Sequence, residues 1–359
     1  MLTVFERSLW DEAVGGRVLD LAHLLRRYAS RDESRVQIVV ETVFTDHLDP
    51  TALLSFSGVK ELGRASAPNG TVVWLADKDG EWLIAALTSE HEGVFHLMGT
   101  VPRSDYRWRR VERWIVGAQG ISRCFLNHED FLELGDQLSS YGAVEVVTIS
   151  SRMRDGSSLN RGFPARPDSR RPDHREGIAE IEDRGGSVRT LSLHVRDTLD
   201  LHVRRLAGAT YNGGSYLVFR DLVLRRLEAA AGTRRELLSN RARISASEKL
   251  RPLTISLPAS LLRDAEDTGD VLAVVGTQPN LTLAVFHRNP YLHFALTDEQ
   301  DGSNFDVLVT REDAIDIFPG FRSSASSLAR VSQLLSEAFG ALEIREQPGS
   351  EPVSLYDLV

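Results

Sequence analysis

Between Thr71 and Thr100 three short apolar stretches are separated by Asp77-Lys78-Asp79-Gly80 and Glu90-His91-Glu92-Gly93. Strand-length apolar runs divided by turn-forming residues predict a β-meander. Helical periods flank it, so the fold class expected is mixed α/β (α+β). Val18, Leu21, Leu24, Leu25 and Tyr28 recur at helical spacing within Arg17 to Tyr28. Val36 to Val40 is β-branched and strand-like. Asp49-Pro50 then supplies an N-cap and a proline at the first helical position, predicting a helix to about Leu62. After the meander come a strand near Ser122 to Leu126, a helix capped by Asn127 with Phe131, Leu134, Leu138 and Tyr141 on one face, and a strand from Val144 to Ile149. Gly142 sits where a left-handed helix cap belongs.

The same order recurs toward the C-terminus. Leu253 to Leu257 reads as a strand, Pro258 opens a helix, Val271 to Val309 holds several strands, and Leu328 to Phe339 is an amphipathic helix followed by Gly340 and a strand. Pro50-Thr51-Ala52-Leu53-Leu54 answers Pro258-Ala259-Ser260-Leu261-Leu262, and Tyr141-Gly142-Ala143-Val144-Glu145-Val146 answers Phe339-Gly340-Ala341-Leu342-Glu343-Ile344. These matches predict an internal duplication of a strand-helix-meander-helix-strand unit, one copy in 1–151 and the other in 252–347. In topology alone the order resembles the saddle-like repeat of TATA-binding-protein-type folds. Residues 152–186, rich in Arg, Pro, Ser and Asp, are expected to form a mobile linker. Residues 187–248 form an inserted strand-helix segment, with Tyr216, Phe219, Val223, Leu227 and Ala230 on one helical face, and 348–359 form a tail.

The net charge of -9 argues against wholesale coating of nucleic acid, but the charge is unevenly spread. Residues 103–123 hold six arginines against Asp105 and Glu112, residues 152–175 hold seven against three aspartates, and residues 220–243 hold seven against three acids. Basic patches on an acidic body are the expected outcome. Only Lys60, Lys78 and Lys249 are lysines among the 42 basic residues, a bias that an arginine-favouring genome explains without selection for phosphate contacts. No apolar run approaches the ~20 residues of a bilayer span, and the first residues lack a basic n-region followed by an apolar stretch. Cys124 is the sole cysteine, which excludes an intrachain disulfide or a cysteine zinc cluster. A cytoplasmic protein with no membrane partner is expected.

Arg196-Asp197-Thr198-Leu199-Asp200-Leu201-His202 resembles the R-x4-6-H motif of HEPN-type ribonucleases over these seven residues. The resemblance implies that Arg196 and His202 handle charge and protons at a scissile phosphate of RNA. The residues also allow a hairpin over 188–206, turning at 196–198, with Leu191, Leu193 and Val195 sharing a face with Leu199, Leu201 and Val203. Asp200 then lies opposite His194, either tuning a general base or forming a solvated cross-strand pair. His91-Glu92-Gly93-Val94-Phe95-His96 lacks zinc-protease spacing, and Asp46-His47-Leu48-Asp49 suits caps and surface hydrogen bonds, so no metal is expected. Phosphate-binding glycine loops and nucleophile elbows are absent, and no cofactor is expected.

Arg103 to Trp114 interleaves Arg103, Arg107, Arg109, Arg110 and Arg113 with Tyr106, Trp108 and Trp114, the residue types that phosphate contact and base stacking require. The alternative is that the indoles anchor a core and the arginines surround it. Arg170 and Arg171 belong to the second basic block. The function expected is a non-enzymatic binding or assembly protein engaging DNA or RNA, or a protein complex acting on it, through arginine-rich patches. The rivals are a protein-interaction scaffold without nucleic-acid contact and a ribonuclease-like enzyme using Arg196 and His202.

Overall fold

The computed structural model describes residues 2–29, 36–45, 54, 56, 58–118, 121–153, 157–164, 170–184, 186–239, 253–258, 261–262, 265–278, 280–288, 291–300, 302–320 and 323–346. Two helices open it, α1 (Val4–Val14) and α2 (Leu21–Ala29). Thr3 and Glu6 close a capping box at the start of α1, each side chain satisfying the other residue's amide. β1 (Ile38–Thr45) leads to the meander β2 (Lys60–Ala67), β3 (Gly70–Asp77), β4 (Gly80–Thr88) and β5 (Val94–Gly99). Then come α3 (Tyr106–Gly117), β6 (Ile121–Arg123), α4 (His128–Ser139), β7 (Val144–Met153), β8 (Ser158–Gly162) and α5 (His174–Asp183). The helix expected after Asp49-Pro50 falls largely outside the described residues, and its expected end at Leu62 lies in β2.

The strands β9 (Gly186–Val195), β10 (Leu199–Arg204) and β11 (Gly208–Gly214) follow. They do not build a separate middle unit. All eleven strands share one antiparallel sheet in the order β2-β3-β4-β5-β1-β11-β10-β9-β7-β8, with β6 pairing β1 off that path. Ile38 pairs with Tyr211 and Val144 with Val195, so the segment expected as an insertion fills the sheet between β1 and β7. The stretch 152–186 also supplies regular elements: β8 pairs with β7, and α5 buries Ile178 and Ile181 behind a capping box of Asp173 and Glu176. Two isoleucines in helical register supply what the polar average of that stretch conceals.

The sheet has two unlike faces. Val40, Phe44, Met98, Leu201, Val203, Leu191 and Leu193 belong to the main core, into which the buried sides of α1, α2, α4 and α5 pack. On the opposite face, over β1 and β3 to β5, lies a second core in which Trp108, Val111 and Ile115 of α3 meet Val39, Val43, Ile84 and Leu97. Beyond β1 that face turns polar, carrying Thr210, His202, Ser192, Arg204, Thr190 and Ser150.

A tandem helical run follows β11: a short α6 (Tyr216–Val218), a π-helical stretch (Phe219–Leu224) and α7 (Arg225–Ser239). The rest is a second unit of β12 (Leu253–Ser256), α8 (Ala265–Gly276), β13 (Leu281–His287), β14 (Leu292–Asp298), β15 (Ser303–Arg311), β16 (Ala314–Pro319), α9 (Ala325–Phe339) and β17 (Glu343–Glu346). Val271 to Val275 lies in α8 and is not a strand; Val271 and Val275, one helical turn apart, are both fully buried. The second sheet runs β13-β14-β15-β16-β12-β17. In the first sheet β2-β3-β4-β5-β1 runs the same way and β6 stands where β17 does, which matches α3 with α9. The paired Tyr141 and Phe339 signatures instead match α4 with α9, so the two correspondences disagree and an internal duplication is not shown. The units touch through α9, α7 and β6, where Ser122 donates to the Ser326 carbonyl at 3.2 Å. Gly340 caps α9 in the left-handed region (φ 64°) and passes so close that a Cβ there would lie 2.7 Å from Ser187 Oγ. Among the described residues no helix is long and apolar enough to cross a membrane.

Candidate anion-binding site

β1 is buried along its whole length, and one of its residues is a carboxylate, Glu41, 1 % exposed. A buried charge needs a partner. Register supplies one: Glu41 pairs with Gly208 of β11, and Gly208 with Arg204 of β10. The Arg204 side chain crosses the intervening strand over Gly208, donating to Glu41 Oε1 at 2.7 Å, the Val40 carbonyl at 3.0 Å and Thr210 Oγ1 at 3.1 Å. Glycine leaves the corridor open, since a Cβ at 208 would sit 2.3 Å from Arg204 Nη2. Gly208→Ala should therefore lower stability by about 1 to 3 kcal/mol, as other overpacked sites do; a urea midpoint unchanged from the parent protein would refute this role of the glycine.

The other Glu41 oxygen faces Arg123 of β6, whose Nε is 3.9 Å away, too far for a hydrogen bond. Among the described residues both atoms, Glu41 Oε2 and Arg123 Nε, are buried without a hydrogen-bond partner. They line a pocket of about 260 Å³ where the sheet's polar face meets α9. Five arginines reach it, Arg103, Arg123, Arg189, Arg204 and Arg205, against the carboxylates Glu41 and Glu337. Ser150, Thr190 and Asn160 continue the lining along one cross-strand row, since Asn160 pairs with Ser150, Ser150 with Thr190 and Thr190 with Arg204. Burial presses the Arg204 guanidinium below its ordinary value, Glu41 opposes the shift, and Arg103 adds to it. In the adjacent row His202 accepts or donates at Nδ1 with Ser192 Oγ at 2.8 Å. Its pKa is pushed down to about 4 by burial first and then by Arg204 and Arg103, so it is neutral at pH 7.

Of the residues singled out by sequence, only Arg103 lines this pocket, at its exposed rim with Nε 2.7 Å from Glu112. Arg107 is held by its helix-capping neighbour Asp105 at 2.8 Å. Arg109 and Arg113 are exposed on the outer side of α3, and Arg110 donates to the Gly58 carbonyl and lies over the Tyr106 ring. The Tyr106 hydroxyl donates to Asp77 at 2.7 Å. Trp108 is fully buried under the sheet, so its ring is not offered for stacking. Arg170 is exposed near Asp173 and Glu176, while Arg171 donates to the Phe163 carbonyl at 2.7 Å and ties that turn to Glu145. The Arg196 and His202 pair falls on the β9-β10 hairpin, not on a helix. Arg196 is ion-paired with Glu145 at 2.8 Å, and His194 Nδ1 lies 2.7 Å from Asp200 as cross-strand partners. No group of His, Cys, Asp or Glu side chains placed to hold a metal ion occurs among the described residues.

No protein-family model matches this chain, and no curated protein matches it significantly. The arginines that sequence reading passed over carried two signals. Glu41 interrupts a buried strand that carries no other charge, which demands a buried cation, and Arg204 falls at the outward position of the alternation Leu199, Leu201, Val203, on the face that Glu41 shares.

Proposed function

We propose that this protein binds nucleic acid by seating backbone phosphate at the five-arginine pocket, as a binding or assembly protein. The observation that carries the reading is the charge of the pocket: five arginines face two carboxylates, and one of those, Glu41, is already engaged by Arg204. Phosphate offers charge-assisted acceptors to guanidinium groups in the geometry they favour. A polymer is preferred to a small anion because the pocket opens onto the row Thr190, Ser150 and Asn160, whose polar side chains suit sugar and base edges. Arg109 and Arg113 are further exposed cations, on α3.

The test uses Arg103 and Arg189, the exposed members of the pocket, so that folding is spared. Anisotropy titrations of a labelled single-stranded oligonucleotide across a salt series should give a log-log slope that falls by about 1.4 in the double variant R103A/R189A, roughly 0.7 for each lost phosphate contact. Equal affinity and slope in parent and variant would remove nucleic acid from this pocket.

A further inference from the structure

On the other face of the sheet a second cavity of about 400 Å³ opens between the start of α2 and the tandem helical run. Its floor is β4 and β5, with Leu87, His96 and Met98; its far wall is Tyr216, Leu224 and Glu228. The wall contains the π-helical stretch, which contributes Leu224 and Arg220, and single π turns within helices concentrate at functional sites.

Polar groups of unequal standing converge there. The Glu228 side chain, 13 % exposed, accepts from His96 Nε2 at 2.7 Å, and His96 Nδ1 is 3.0 Å from Thr42 Oγ1 in the sheet. His96 is the one hydrogen-bond partner of Glu228 among the described residues, although an ionised carboxylate has room for about four. The two arginines at the cavity stand at its rim and are already matched, Arg220 with Asp221 at 2.7 Å and Arg225 with Glu90 at 3.4 Å. The carboxylate left to meet an occupant is therefore Glu228, on the cavity wall beside His96. Nearby the Tyr216 hydroxyl is buried and, among the described residues, has only Met98 Sδ, a weak acceptor 4.0 Å away, as partner. A phenol placed so is an under-used donor.

We propose that this cavity binds an organic amine, its ammonium on Glu228, its apolar body against Leu87, Met98 and Leu224, and an oxygen acceptor toward Tyr216. A cavity of this volume that sets apolar walls beside converging polar groups suits a small organic ligand. The site is independent of the arginine pocket, since Thr42 and His96 face the main core while Glu41 faces the other side of β1.

Calorimetric titration with tyramine and with 4-hydroxyphenylacetate tests it, because the two share the hydroxylated ring and differ in the sign of the charged end. Tyramine should bind saturably and at least about tenfold more tightly than the acid, a difference of about 1.4 kcal/mol. Glu228→Gln should remove that preference, with His96 retaining an acceptor. Ala22→Phe, which fills the cavity and leaves the His96-Glu228 bond in place, should abolish binding while circular dichroism stays that of the parent; this variant decides the matter if Glu228→Gln does not fold. Equal binding of the two probes, no saturable tyramine binding at millimolar concentration, or tyramine binding undiminished in Ala22→Phe would overturn the proposal.

Discussion

Glu41→Ala should cost about 3 to 5 kcal/mol of folding stability, because it leaves the buried Arg204 guanidinium without the carboxylate it contacts. Arg204 is 3 % exposed and has two neutral acceptors left, the Val40 carbonyl and Thr210 Oγ1, neither of which offsets a full charge. The pair's net worth is a separate matter. Desolvating two ions consumes most of what their attraction returns, so replacing both by apolar residues of similar volume should recover much of the loss. Glu41→Met with Arg204→Met is the informative double variant: in urea unfolding its midpoint should lie nearer the parent than that of Glu41→Ala does. A single variant that loses under 1 kcal/mol, or a double variant as unstable as the single one, would show that Arg204 finds another partner. The result also bears on binding. If Arg204 and Glu41 are retained as part of an anion site and not for stability, the double variant should fold well and bind polyanions less tightly.

Local structure was readable because its causes are local. The meander turns at Asp77 to Gly80 and Glu90 to Gly93, the Asn127 cap, and the helix with Tyr216, Phe219, Val223, Leu227 and Ala230 all stand where turn chemistry and periodicity place them, whereas α4 ends on Ser140 and Gly142, expected as its left-handed cap, does not adopt that conformation. The arginine-rich stretch from Arg103 to Trp114 is a helix whose Trp108, Val111 and Ile115 form a core stripe, with Arg109 and Arg113 left outside. What failed had distant causes. Nothing near Ile38 announces that Tyr211 will be its neighbour, so β9 to β11 read as an insertion when they complete the first sheet. Val271 to Val275 is β-branched and strand-like by propensity, yet it is helical because Val271 and Val275 meet the core one turn apart. The pocket follows the same rule. Its arginines come from β6, β9, β10 and the turn after it, and the approach to α3, elements that only the sheet register brings together.

Acid should weaken the fold through His202 in a defined window. Its folded-state pKa of about 4 lies below the ordinary 6.5, with burial the largest cause and Arg204 and Arg103 adding to it. The unfolded chain takes up this proton as pH falls below about 6.5 while the folded chain does not, so stability declines from there to about pH 4, where this contribution levels off. The shift corresponds to at most about 3 kcal/mol, and less in solution because the ring is partly exposed. Carboxylates titrate in the same range, so the quantity to read is a difference: between pH 7 and pH 4.5 the parent should lose more stability than His202→Gln, and equal losses would refute the assignment. The cause of the shift also links the histidine to the proposed ligand. A phosphate seated among Arg103, Arg204 and their neighbours cancels part of the field that holds His202 neutral, so bound polyanion should move its NMR titration toward higher pH. The burial contribution stays, and the midpoint should remain below the ordinary value. A midpoint unmoved by saturating oligonucleotide would place the polyanion elsewhere on the protein, even if binding itself proved strong.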